Sequence, residues 1–251
     1  MFLVLTLTAL LTATISGIIG MGGGTLLLAT MFCFLPHGEA VPLHAAVQFV
    51  ANGSRVVVFW KAVDWWTVTR YAIGLVPGVT LAGAILWSLG EPGRAEPYLK
   101  ILIGVYILTL TFLPKPKKSA GTVSRWDFTW MGLAAGAAGI TVGAIGPMIA
   151  PLFARRNFVK ERLIATKAIC QTLTHVLKIP TFCLLGTIEY AEFSKLLVVM
   201  AVAAVLGTLL GKRLLKHVSA RMFVRLYQIA LTVAGIKVLI FDGLLPLLHE
   251  P

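Results

Sequence analysis

The chain has 251 residues, 58% of them hydrophobic and only 13% charged, where an ordinary soluble domain carries about 25% charged residues. Mean hydropathy is +0.88, and the net charge of +12 sits in segments between apolar runs, which speaks for membrane topology and against nucleic-acid binding. A separate soluble domain is excluded too, because the longest clearly polar run is only Pro114 to Arg125.

In chain order, apolar runs fall at 2–19, 24–35, 41–60, 66–89, 97–113, 128–141, 147–154, 163–185, 193–211 and 222–241. No positively charged region precedes the first run, so it reads as a retained membrane helix. Aromatics suited to the interface bound several runs: Trp60, Trp65, Trp66, Trp87, Tyr98, Trp126, Trp130 and Tyr190. Six runs are long enough to cross a bilayer. The other four form two pairs, one around Gly20-Met21-Gly22-Gly23-Gly24 and one around Gly143-Ala144-Ile145-Gly146-Pro147. As a single helix, residues 2–35 would be about 50 Å long, too long for one span, and glycine and proline are where such a helix breaks. Cys33, Cys170 and Cys183 lie in apolar runs without a CxxC pair, and are expected to be small buried hydrophobes outside any disulfide.

Charge sets the topology. Lys115, Lys117, Lys118 and Arg125 form one basic segment, Arg155, Arg156, Lys160 and Arg162 a second, and Lys212, Arg213, Lys216, Arg221 and Arg225 a third. The positive-inside rule places all three in the cytoplasm. Residues 126–155 then enter and leave on one side, as a hairpin of two short helices turning at Gly143 to Pro147. Residues 2–35 form the matching hairpin, which puts both termini outside. With Lys61 and Arg70 the cytoplasmic side holds 15 Lys and Arg, against Arg94, Lys100 and Lys195 outside; Arg55, Lys167, Lys178 and Lys237 lie within helices.

The halves repeat. Gln48-x3-Asn52-x2-Arg55 returns 123 residues later as Gln171-x3-His175-x2-Lys178. At that offset His44 meets Lys167; one residue out of step, Gly17 meets Gly139 and Gly24 meets Gly146; and Asp64-Trp65 meets Glu189-Tyr190 at an offset of 125. The expected fold is an all-α integral membrane protein of two inverted repeats, 1–113 and 126–251, joined by a basic cytoplasmic linker at 114–125. Each repeat is a glycine-broken helical hairpin plus three transmembrane helices. Three crossings are an odd number, so the second copy is inserted upside down, a recurrent transporter architecture with its site near the midplane.

The spacing of His44, Gln48, Asn52 and Arg55 keeps one helix face, as does that of Lys167, Gln171, His175 and Lys178. Charges at membrane depth are costly and face an interior or an aqueous path. Such groups can also simply bond helices together or snorkel toward an interface. The glycine breaks add free backbone N–H groups at two half-helix N-termini, near Gly22, Gly23, Gly24 and Thr25 and near Gly146 and Pro147. Such ends attract anions through their N–H groups and dipole. All ten acidic residues fall in loops, tails or helix ends, so a titrating group at depth would have to be His44 or His175. Asp64 and Glu189 read as caps or interfacial polar residues.

These residues predict a small-anion site and no cofactor. The sequence has no HExxH, no GxSxG and no buried carboxylate pair, which argues against an intramembrane enzyme. A membrane scaffold or assembly factor is the alternative class, and a homo-oligomer is compatible with the sequence.

The segments SGIIGMGGGTLLL and AAVQFVANGSRVVVFWKAVDW, answered by GAIGPMIAPLF and ATKAICQTLTHVLKIPTFCLLGTIEY, resemble the TauE/SafE family of sulfite exporters, also called TSUP anion permeases. The resemblance covers nearly the whole chain and both repeats. Lys61 in KAVDW stands where the family usually has glycine, and the second break is poorer in glycine. The resemblance implies transport of sulfite, a sulfonate or a related organic anion across a bacterial-type cytoplasmic membrane.

Overall fold

A computed structural model describes residues 1–19, 23–88, 92–112, 123–156, 158, 160–214, 229, 232 and 235–249. Among the described residues there are helices and no strands. The helices are α1 (Phe2–Ile19), α2 (Gly23–Met31), α3 (His37–Phe59), α4 (Trp65–Ser88), α5 (Pro92–Phe112), α6 (Arg125–Thr141), α7 (Gly146–Arg155), α8 (Lys160–Leu184) and α9 (Ser194–Leu214). A π-helical segment, Lys237–Leu244, then runs into the short α10 (Leu245–His249). The basic cluster Lys115 to Lys118 and the residues Lys216, Arg221 and Arg225 lie outside the described residues.

Local chemistry sets the breaks. Ser124 caps α6: its hydroxyl accepts from the Trp126 N–H at 3.4 Å, and Asp127 accepts from the Ser124 N–H at 3.0 Å. Gly143, at φ +92, turns the chain after α6, and its N–H and that of Val142 both bond to Ala138 O. A helix then restarts at Gly146 with a proline in its first turn. In the first half of the chain, α1 ends at Ile19 and α2 restarts at Gly23.

Small residues set the packing. Helix α4 lies on α6, and a Cβ on Gly74 would stand 1.8 Å from Thr129 O, one on Gly132 2.1 Å from Tyr71 O. Helix α1 lies on α9 in the same manner: a Cβ on Gly207 would stand 2.3 Å from Leu10 O, and one on Gly211 2.3 Å from Thr14 O. Between these two pairs α3 packs against α8, and α5 against the π-helical segment. Gly17 touches Thr208 and Gly211 of α9; the residue with equivalent contacts to α4 is Gly136, whereas Gly139 faces Thr174 and Lys178 of α8.

The polarity is inverted relative to a soluble protein. Helix α4 exposes Ile73, Val76, Leu81 and Ile85, and α9 exposes Val198, Val202 and Leu206. The interior holds His44, Gln48, Asn52, Arg55, Lys167, His175 and Lys178, none more than 5% exposed. This distribution suits a helical protein immersed in lipid. Among the described residues α4 and α9 are long and apolar enough to cross a membrane. Helices α3 and α8 have the length, 23 and 25 residues, but carry the polar residues of the interior. Trp60, Trp65, Trp66, Trp87, Tyr98, Trp126 and Trp130 are all exposed. Among the cysteines only Cys170 is buried, while Cys33 and Cys183 are exposed; both sit near helix ends on the apolar outside, which a thiol tolerates as a small hydrophobe does.

Candidate functional site

Helices α3 and α8 run side by side through the centre, and the starts of α2 and α7 meet them there. The four elements, with the end of α1, enclose a cavity lined by Ser16, Gly24, Thr25, His44, Gln48, Arg55, Ala144, Ile145, Gly146, Gln171 and His175. Its volume is ≈ 10 Å³ measured at the centre of a water-sized sphere, room for about one water.

The two halves contribute in matching fashion. A Cβ on Gly24 would lie 3.2 Å from the side-chain amide of Gln48, and one on Gly146 would lie 3.2 Å from Gln171 Nε2. Glycine at these positions lets each glutamine approach the start of a half-helix. Helix α7 begins without a side-chain cap and with a proline in its first turn, and helix starts of this kind attract anions through their N–H groups and dipole. At the start of α2 the Gly23 N–H donates to Ser16 Oγ at 3.1 Å.

A hydrogen-bond chain runs down α3. Asn52 Nδ2 donates to Gln48 Oε1 at 3.4 Å, and Arg55 donates through Nη2 to Asn52 Oδ1 at 2.6 Å and through Nε to Ala51 O at 3.1 Å. Arg55 is thus held in place inside the protein and does not snorkel. Lys178 is buried as well, its Nζ donating to Gly143 O at 2.8 Å, which ties α8 to the turn between α6 and α7. His44 Nε2 lies 2.8 Å from Gly24 O, and its ring meets that of His175 edge to face at 5.8 Å. Several buried polar atoms have no protein partner: Thr25 Oγ1, His44 Nδ1, His175 Nδ1 and Lys167 Nζ. Unpaired polar atoms at this depth are costly unless a ligand or water meets them.

Of the residues singled out from sequence, Gly24, Thr25, His44, Gln48, Arg55, Gly146, Gln171 and His175 line the cavity. Asn52 stands behind Gln48 and Arg55, Gly23 bonds to Ser16, and Lys178 braces the Gly143 turn. Lys167 is buried without lining the cavity. Pro147 sits in the first turn of α7, and Gly22 lies outside the described residues. Sequence reasoning missed Ser16, Ala144 and Ile145; the signal for Ser16 was its place one turn before the glycine run. Among the described residues no carboxylate lines the cavity, and none of them form a cluster of metal-ligating side chains.

A second polar cluster joins the halves at the end of α3. Asp64 accepts hydrogen bonds from Thr67 Oγ1 and Arg162 Nη2, and Arg156 Nη2 stands 3.5 Å away. The Asp64 N–H donates to Thr166 Oγ1 at 2.9 Å. The Arg156 guanidinium also stacks over Trp66, 4.9 Å from the ring centroid. Burial opposes ionisation of Asp64, but the Thr67 hydroxyl and then Arg162 and Arg156 outweigh it and hold the carboxyl below its usual range.

With this geometry in hand, known proteins are informative. A protein described as "Probable inner membrane transporter protein TsaS", from Comamonas testosteroni, is 24% identical over 229 residues, covering 87% of this chain and 88% of its own. No solved structure matches the chain significantly. The profile described as "Sulfite exporter TauE/SafE" matches residues 5–238, nearly all of the sequence. The chain belongs to the TauE/SafE sulfite exporter family.

Proposed function

We propose that this protein is a multi-pass transporter of the cytoplasmic membrane that moves sulfite or a small organosulfonate anion outward by alternating access. The observation that carries the proposal is the central cavity: two half-helix starts, two glutamines, an arginine and two histidines converge on it, and no carboxylate does. Backbone N–H groups and the amides of Gln48 and Gln171 would bind the anion's oxygens. Arg55 would supply charge at the wall, with Lys167 and Lys178 adding positive potential from behind.

The inverted-repeat reading draws support from the packing. Exchanging the first five helices with the second five turns the α1–α9 contact into α6–α4 and leaves the α3–α8 contact unchanged. The matched pairs Gly24 with Gln48 and Gly146 with Gln171 add to it. A space that admits about one water is too small for a sulfur oxyanion. It fits a closed stage of a cycle whose open stages widen the same site. The curated relative is itself described as a probable inner membrane transporter, which agrees with the proposed class.

The test is uptake of labelled sulfite by proteoliposomes containing the purified protein, repeated with a sulfonate and with thiosulfate. Transport above empty vesicles is expected, with Gln48→Ala and Gln171→Ala each lowering it by about tenfold or more. Signals equal to empty vesicles for all three anions would remove the transporter reading. If the two substitutions left uptake unchanged, the cavity would not be the site.

A further inference from the structure

His44 Nε2 lies 2.8 Å from Gly24 O. A carbonyl oxygen only accepts, so this nitrogen is the donor and carries hydrogen. In the neutral ring the other nitrogen, Nδ1, is then a bare lone pair. That atom is buried on a residue 1% exposed, has no protein partner, and belongs to a side chain lining the cavity. We infer that His44 Nδ1 accepts a hydrogen bond from the substrate, so that the site prefers an oxyanion bearing its own acidic hydroxyl, such as hydrogen sulfite, over a sulfonate, none of whose oxygens carries hydrogen. The inference rests on the reading of the cavity as the anion site and adds which anion it favours.

The surroundings support an acceptor here. Several other polar groups at the wall can donate to anionic oxygen: Arg55, Thr25 and the glutamine amide nitrogens. The Gln48 oxygen already accepts from Asn52 at 3.4 Å, and His175 Nδ1, like His44 Nδ1, has no protein partner. His175 on α8 meets the His44 ring edge to face, and Arg55 on α3 with Lys167 and Lys178 on α8 are buried cationic groups of the same interior. With no carboxylate at the wall, a further positive charge on the ring would go uncompensated in the empty site. In the HO–SO2− form of hydrogen sulfite the hydroxyl would point at Nδ1 and the two remaining oxygens at the donors. Methanesulfonate carries a methyl group where hydrogen sulfite has the sulfur lone pair, and has three terminal oxygens and no hydroxyl. One oxygen would face the lone pair or leave it unpaired, and sites built around a substrate hydroxyl discriminate against analogues that lack it.

The experiment measures binding of hydrogen sulfite and of methanesulfonate to the purified full-length protein by calorimetry, in one mildly acidic buffer. The wild type is expected to favour hydrogen sulfite by about tenfold. His44→Leu, which keeps no acceptor at this position, is expected to lose that preference and bind the two anions alike. Equal wild-type affinities would overturn the inference while leaving the anion site standing, as would a folded His44→Leu variant that kept the full preference. Should the variant fail to fold, as judged by thermal unfolding, the wild-type ratio decides alone. If the wild type bound neither anion, the anion-site reading would fall and this inference with it.

Discussion

Asp64 shows how a single residue can join two halves of a membrane protein. Its side chain is 8% exposed, while those of Arg156 and Arg162 are 30% and 48% exposed, so water reaches the cations more easily than the anion. Asp64→Asn removes the charge but keeps the shape; its one carbonyl oxygen cannot serve the Thr67 hydroxyl and both guanidinium groups as the two carboxylate oxygens do, and its NH2 faces donors. A loss of about 1–3 kcal/mol is expected, read as a lower midpoint of thermal unfolding in detergent. The carboxyl is held below its ordinary value in the folded protein. Its contribution is therefore complete above the usual aspartate range near ~4 and is lost as pH falls through the lowered value. The stability gap between wild type and Asp64→Asn should accordingly narrow in strongly acidic buffer; a gap that stayed constant would show that the charge is not what stabilises. Sequence alone placed Asp64 at a helix end, as a cap or interfacial residue. Its bonds to Arg162 and Thr166, 98 and 102 residues away, could not be read there, because nothing local to Asp64 encodes which distant cation will face it. The stripe His44, Gln48, Asn52 and Arg55 was legible for the opposite reason: its spacing is a local property of one helix, and polar residues inside an apolar run stand out.

At the scale of the elements, the glycines decide how closely helices approach. Lipid gives no hydrophobic drive for helix association, so close backbone packing has to supply much of the contact. Gly74 and Gly78 of α4 interlock with Gly132 and Gly136 of α6, and a Cβ at any of the four would come within 1.8–2.6 Å of backbone oxygen in the partner helix. Backbone cannot swing aside as a side chain can, so Gly74→Ala and Gly132→Ala should push the helices apart. A cost of about 1–3 kcal/mol is expected for each, with lower yield and a lower unfolding midpoint. Gly53, in the middle of α3, has nothing within 4 Å of its missing Cβ. Gly53→Ala should be neutral or stabilise by up to about 1 kcal/mol through helix propensity alone. If the three substitutions behaved alike, close packing would not be what these glycines provide. The helices themselves were legible in the sequence, most of their ends falling within a few residues of the apolar runs. Their mates were not: helical periodicity tells which face is apolar or small, but not which other helix will cover it.

At the scale of the whole molecule, the question is how the two halves sit in the bilayer. The residues between α5 and α6 include Lys115, Lys117 and Lys118, and the end of α7 carries Arg155 and Arg156. Between these points lie α6 and α7, of 17 and 10 residues. The second is about 15 Å long at 1.5 Å per residue, half the thickness of the hydrocarbon core. A helix of that length leaves from the middle of the membrane, not from its far face, and its start at Gly146 is indeed at the central cavity. The chain should thus enter along α6, turn at Gly143 and return to the side it came from. Placing both basic segments in the cytoplasm satisfies the positive-inside rule without carrying the cations of either segment across the membrane. Reporter enzymes that function on only one side of the membrane, fused after Lys118 and after Arg156, should therefore both report cytoplasm. A fusion after Gly186, beyond the long α8, should report the outside. Opposite signals at Lys118 and Arg156 would make the α6–α7 hairpin a true crossing. The second half would then no longer be an upside-down copy of the first, and alternating access about a midplane cavity would lose the symmetry on which it depends.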